Sequence, residues 1–269
     1  MIFSWYLRQV NDFGFLSATL LLWRVTRRRA VVLVSNKLLP SRVECPCCGW
    51  RGRKFFDYIE MGYIARNAAC PSCDSHSRHR ALFLWLKDRY RLSGKEGVAL
   101  VLAPEKALAP MWAEATSLRT YKIDIDPSRG VNVQADVSQM PFASESVNLI
   151  WCHHVLEQVK EDRKAMSEFH RILKSRTGDL VISAGLSESE TTREFGYSNK
   201  ALSGNRRSYG RDFLKRLRES GFAVELLSYE LSASECEKLG IIPEPFFRCT
   251  KDNTVAPNRQ SASSSGAAT

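Results

Sequence analysis

Short apolar runs set close together between residues 98 and 158 constrain this chain more than any other feature. They lie at 98–103, 120–126 and 147–152, with a shorter one ending on Asp136 and a helix-like segment, 105–117, between the first two. Those at 98–103 and 147–152 are near-continuous, without the apolar/polar alternation of a strand with one wet face. Runs of this kind are strands covered on both faces, which is the signature of a parallel sheet with crossover helices. In an open sheet of that type ligands gather outside the carboxyl ends of the strands, at the point where the strand order reverses. Acidic residues close two of the runs, at Asp124 and Asp136.

The stretch 136–159, from Asp136 through Met140, Pro141 and Phe142 to His153, His154, Val155, Leu156 and Glu157, is followed by Arg171, Ile172, Leu173 and Lys174 and by a final apolar run at 178–183. In that order these residues resemble the second half of a class I S-adenosylmethionine-dependent methyltransferase, type 11-like. The resemblance implies an α/β, Rossmann-like sheet of seven strands over residues 81–251, completed by strands at 222–227 and 246–250. It implies S-adenosyl-L-methionine as cofactor, with Asp124 and its neighbour Ile125 at the ribose and Asp136 and the amide of Val137 at the adenine.

Charge is distributed unevenly. Residues 1–96 carry 17 Lys+Arg against 7 Asp+Glu, whereas residues 97–269 carry 22 of each, so the net charge of +10 belongs to the N-terminal third. An anionic partner meets that part first. Residues 1–43 form a basic and apolar helical segment with uncharged runs at 13–23 and 30–34. Neither reaches the ~20 residues a bilayer span needs. Arginines between the runs forbid merging them, and no small-residue cleavage site follows. Two readings stay open for residues 13–34: a helix lying peripherally on the inner face of a membrane, or a helix packed on the domain or on a partner.

Residues 44–80 carry Cys45-Pro46-Cys47-Cys48 and Cys70-Pro71-Ser72-Cys73. Two CxxC knuckles can place Cys45, Cys48, Cys70 and Cys73 around one structural Zn2+, closing a ribbon too short for a core of its own. Cys47 is the spare. With no mark of secretion, disulfides are disfavoured and a cytoplasmic location is expected. Ser75, Arg78, His79 and Arg80 follow the second knuckle, Ala103, Pro104 and Glu105 follow the first apolar run, and Arg207, Tyr209, Gly210, Asp212 and Phe213 come late. These three clusters resemble a group of bacterial methyltransferases fronted by a zinc ribbon. Arg78, His79 and Arg80 read either as recognition of an anionic substrate group or as partners of acidic residues at the ribbon junction.

The turn after the first run contains no glycine, although close approach of backbone to a ligand usually asks for one. Either Ala103, Pro104 and Glu105 form a rebuilt cofactor loop in which Glu105 makes new contacts, or cofactor binding is lost. At the end of the fourth strand His153 and His154 are the candidate general bases for proton removal, with His153 also beside the cofactor. The polar segment 185–208 is long enough for a substrate lid, offering Arg193, Phe195, Tyr197, Arg206 and Arg207, with Tyr209 next to it. Residues 252–269 read as a disordered tail.

The expected function is methyl transfer from S-adenosylmethionine to a small-molecule or glycan-type acceptor. An RNA methyltransferase using the ribbon and basic N-terminus is the alternative, although stacking aromatics are not interleaved with the basic residues. A non-catalytic protein of the same fold is the second alternative.

Overall fold

The computed structural model describes residues 2–60, 63–227 and 229–251; the tail expected at 252–269 lies outside them. Two helices, α1 (Ile2–Phe13) and α2 (Phe15–Leu38), form a hairpin hinged at Gly14. Two small antiparallel pairs follow, β1 (Val43–Glu44) with β2 (Arg51–Gly52) and β3 (Phe56–Glu60) with β4 (Tyr63–Ala69). Helix α3 (Ser77–Leu84) leads into the main sheet.

That sheet has seven strands: β5 (Gly97–Leu102), β6 (Leu118–Asp124), β7 (Val133–Gln134), β8 (Leu149–His153), β9 (Asp179–Ser183), β12 (Phe222–Leu227) and β13 (Phe246–Lys251). Their order is β12-β13-β9-β8-β5-β6-β7, with β13 antiparallel to both neighbours and the other pairings parallel. The order reverses between β5 and β8, so a cleft at their carboxyl ends is where a ligand is expected.

The continuous apolar runs explain this placement. Leu100, Leu102, Ile150, Cys152, Leu180 and Ile182 pack on one face with α5 (Asp162–Ile172), α6 (Phe213–Glu219) and the Phe222 side chain. Ala99, Val101, Leu149, Trp151 and Val181 pack on the other with α3 and α4 (Ala109–Glu114). Successive residues of a strand point to opposite faces, so both faces being apolar requires cover on both sides. The expected helix at 105–117 is shorter, a single tight turn at Lys106–Leu108 followed by α4, which starts with Pro110 in its first turn.

Two elements differ from expectation. The segment 185–208 is not wholly irregular, since it contains a hairpin of β10 (Arg193–Asn199) and β11 (Asn205–Ser208). Helix α7 (Ala233–Leu239), opened by Ser232 and Glu235 as a capping box, was not expected. It ends at Gly240, whose φ of 60° is left-handed; a Cβ there would come within 2.4 Å of the Phe55 ring. The ribbon therefore sits directly on the α7 terminus. Of α2, one face is covered: Ala18, Leu21 and Val25 are buried, Leu21 and Val25 packing with Ile59 of β3.

Candidate active site and metal centre

The knuckles are equivalent turns. The amide of Gly49 donates to the Cys45 carbonyl and that of Asp74 to the Cys70 carbonyl, both at left-handed residues just past the second cysteine. The Sγ atoms of Cys45, Cys48, Cys70 and Cys73 lie within 4.8 Å of one another, with Cys45–Cys73 and Cys48–Cys70 both 3.7 Å. A tetrahedron of thiolates around zinc at about 2.3 Å has edges of about 3.8 Å, so the donor set and its spacing fit Zn2+. Contacts with Cys47 and Cys70 hold the Cys45 thiol far below its usual range, and the contact with Cys45 pushes Cys70 up. Thiols this close cannot all ionise without a cation between them. Cys47 stays outside the four, 3.9 Å from the His79 carbonyl.

The residues just after the ribbon divide into two roles. Arg80 is fully buried: its guanidinium donates to the carbonyls of Ala68, Ser75 and Gly240 and stacks over Phe55, 4.1 Å from the ring centre. It ties ribbon, α3 and α7 together through both Nη groups; only Nε is left without a partner, and it is buried out of reach of a substrate. Backbone carbonyls, instead of the acidic partners weighed above, satisfy it. His79 faces the other way. Its Nδ1 accepts from the His76 amide at 3.1 Å, which leaves the ring proton on Nε2, 2.9 Å from Glu105 Oε1. The approach is bent away from hydrogen-bond geometry, so it counts as an electrostatic contact more than a full bond. Arg78 Nε lies 3.7 Å from the same oxygen. Burial alone would raise the Glu105 carboxyl, but His79, His153 and Arg78 outweigh it and bring the pKa down to about 2.

A cleft of about 420 Å3 opens at the carboxyl ends of β5, β6 and β8. Ala103, Asp124, Ile125, Asp136, Val137 and His154 line it, as expected of cofactor and catalytic residues. Its size suits a small ligand. The Asp124 carboxylate accepts from the Asp126 amide at 3.0 Å and has Arg129 at 3.6 Å. Asp136 accepts from the amide and hydroxyl of Ser138 through one oxygen, both at 2.8 Å. Ala103 has φ 46°, left-handed backbone in a residue with a Cβ. The turn thus keeps a glycine-like conformation without glycine, at a cost of roughly 1–2 kcal/mol.

Other expected site residues lie elsewhere. Pro104, Glu105 and His153 do not line the cleft. Glu105 is turned toward the ribbon by His79 and Arg78. His153 is buried, shares a 2.6 Å hydrogen bond with Ser183 through Nδ1, and burial lowers its pKa to about 3. It is neutral near pH 7 and a weak base. Arg207, only 4% exposed, donates to the carbonyls of Leu156, Val159 and Lys160 and pairs with Glu194. The Tyr209 hydroxyl, also buried, donates to Asp162 at 2.8 Å. Both residues brace the loop after β8, buried and outside the lining of the cleft. Tyr197 is 61% exposed on β10 and outside the cleft.

Among the lining residues that sequence reasoning missed are Asp126, Arg129, Gln158 and Lys160. Arg206, expected in the lid, does line the cleft beside them, while Arg207 points into the protein. Their only signal was position within or next to the strand-end turns.

His154 completes the site. Its φ of 52° turns the chain at the end of β8, and its amide donates to the Ser183 carbonyl. Nδ1 lies 3.1 Å from Glu157 Oε1, which also accepts from the Gly185 amide at 2.8 Å, while Nε2 is buried without a partner. A carboxylate on Nδ1 places the proton there and leaves the Nε2 lone pair free.

Residues 106–182 match the family model described as a methyltransferase domain. The chain carries a class I S-adenosylmethionine-dependent methyltransferase domain. Solved structures, methyltransferases among them, resemble it distantly. An S-adenosylmethionine-dependent methyltransferase from Mesorhizobium loti is 14% identical, with 63% of this chain and 98% of that one covered and a TM-score of 0.46. Geranyl diphosphate C-methyltransferase from Streptomyces coelicolor is 10% identical, with 64% and 81% covered and a TM-score of 0.44. The cyclase SpnF is 16% identical with a TM-score of 0.39; 54% of this chain and 60% of that one are covered. No curated protein matches the chain. The family match and the strand order carry the assignment. A methyltransferase cofactor supplies an electrophilic methyl group on a sulfonium; in this chain Asp124, Ile125, Asp136, Val137 and the Ala103 turn are the residues that would hold it.

Proposed function

We propose that the methyltransferase domain acts on a hydroxyl or amine of a small-molecule or glycan-type acceptor, with His154 as the general base. The observation that carries this reading is the His154–Glu157 pair on the wall of the cleft, with Nε2 unpartnered. Displacement at a methyl carbon needs the nucleophile aligned and its proton removed, and a carboxylate-oriented imidazole can do both. Glu157 positions the ring, and the Gly185 amide holds Glu157. The Cys45, Cys48, Cys70 and Cys73 site is structural, since four thiolates leave zinc no open position. Unpaired thiols throughout the chain suit a reducing, cytoplasmic setting.

The test is turnover to the demethylated cofactor with pooled hydroxyl and amine acceptors. His154→Gln should lower it by about 10²- to 10⁴-fold while changing cofactor affinity less than about tenfold. Unchanged turnover in that variant would remove His154 from the chemistry. Cofactor binding without turnover on any acceptor would favour the non-catalytic alternative.

A further inference from the structure

The covered face of α2 has a counterpart that nothing among the described residues covers. Leu16, Leu20, Trp23, Val31, Val34 and Leu38 are each between 55% and 78% exposed. Their spacing of three, four or twice four residues puts them in one stripe along the helix, about 33 Å long. Single exposed apolar side chains need no explanation, but a stripe of this length, interrupted on its face by Arg27, does.

The stripe borders a groove of about 790 Å3 between α2 and the ribbon; Val31 belongs to both, and Arg27, in the gap of the stripe, also lines the groove. Six cations line the groove: Arg27, Arg28, Arg42, Arg53, Lys54 and Arg66. Arg28 is paired with Asp57; the other five form no ion pair among the described residues. Arg27 instead lies over the Trp23 ring, 5.0 Å from its centre. An occupant must therefore present apolar material to the stripe and anionic groups to the groove beside it.

We propose that the α1–α2 hairpin docks the protein edge-on onto an anionic lipid bilayer, the stripe entering the headgroup–acyl boundary and the groove seating lipid phosphates. No described helix is long and apolar enough to cross a membrane, so the contact is interfacial. A tryptophan among leucines and valines, with an arginine lying on it, is the composition that settles at that boundary. A second copy fits less well. Arg27 stands near the middle of α2 (Phe15–Leu38), so a two-fold pairing of stripes sets it against its own copy, like charge to like. RNA would match the groove but leave Leu16, Leu20, Val34 and Leu38 in water.

The full chain is sedimented with vesicles of phosphatidylcholine mixed with phosphatidylglycerol, and with vesicles of phosphatidylcholine alone. Capture by the mixed vesicles only is expected. Leu20→Glu/Val34→Glu should abolish it, and Arg53→Glu/Arg66→Glu should weaken it by more than about tenfold. Leu20, Val34 and Arg66 are exposed and Arg53 is half-buried, so thermal melting should confirm that both variants fold. No capture, equal capture by both vesicles, or capture that neither variant reduces overturns the proposal. So does salt-sensitive RNA binding without vesicle capture, or a dimer that Leu20→Glu/Val34→Glu dissociates without vesicle capture.

Discussion

His79 Nε2 lies 2.9 Å from Glu105 Oε1, so the helix that follows the cysteine ribbon and the loop that follows the carboxyl end of β5 meet in one polar contact. The glycine-free turn is held from behind by Glu105, and the cleft side of the same turn is left to the Ala103 backbone.

That contact sets a pH dependence. Glu105 titrates near 4.5 when free and near 2 in the folded chain, so its stabilisation is full above about 4.5 and is lost as pH falls toward 2. A shift of that size is on the order of 3 kcal/mol. His153, lowered from 6.5 to about 3, acts in the same direction: its neutral form is favoured on folding, and stability falls from pH 6.5 downward. Chemical denaturation between pH 7 and about 2 should show this loss, and Glu105→Gln should flatten the part below 4.5. A Glu105→Gln profile that overlays the unmutated one would remove the ion contact from the account.

The metal centre predicts about one zinc per purified chain. Cys48→Ser or Cys73→Ser should unfold residues 44–80, because metal binding there is folding energy. Since Arg80 and His79 lie at the junction, the melting of the methyltransferase domain should fall as well. Absence of zinc, with all four thiols alkylated in the native state, is the contrary result.

Arg207→Lys should cost about 3 kcal/mol of stability, because a lysine cannot serve three carbonyls and a carboxylate at once in a buried site. Below its melting temperature the variant should bind S-adenosylmethionine as the unmutated protein does. A variant of full stability that no longer turns over would return Arg207 to the substrate.

The sheet was legible because its central strands are buried on both faces: Val98 to Leu102, Leu149 to Cys152 and Leu180 to Ile182 are continuous apolar runs, and such runs have few other folds open to them. The strand-end carboxylates Asp124 and Asp136 followed from that topology. That Cys45, Cys48, Cys70 and Cys73 come together as a group able to hold a metal was legible from spacing alone. Helix α7 was not, since none of its residues is buried and its role rests on Gly240 seating against Phe55 and Arg80. Arg207 and Tyr209 were misplaced because a sequence shows a charge and a hydroxyl but not the carbonyls of Leu156 and Val159 or the carboxylate of Asp162 that meet them. Glu105 was seen as important, but its direction depends on His79, a contact made across 26 residues that no local spacing reveals.

The central claim is that the cleft closed by the Ala103 turn binds S-adenosylmethionine, with Asp124 on the ribose. Calorimetric titration of the full chain with S-adenosylmethionine, repeated on Asp124→Ala, tests it most directly. The account predicts saturable binding of one ligand per chain, weakened more than about tenfold in the variant, since each charge-assisted hydrogen bond lost is worth about 1.5–3 kcal/mol. No heat of binding from the unmutated protein at millimolar ligand, or equal affinity in Asp124→Ala, would contradict it.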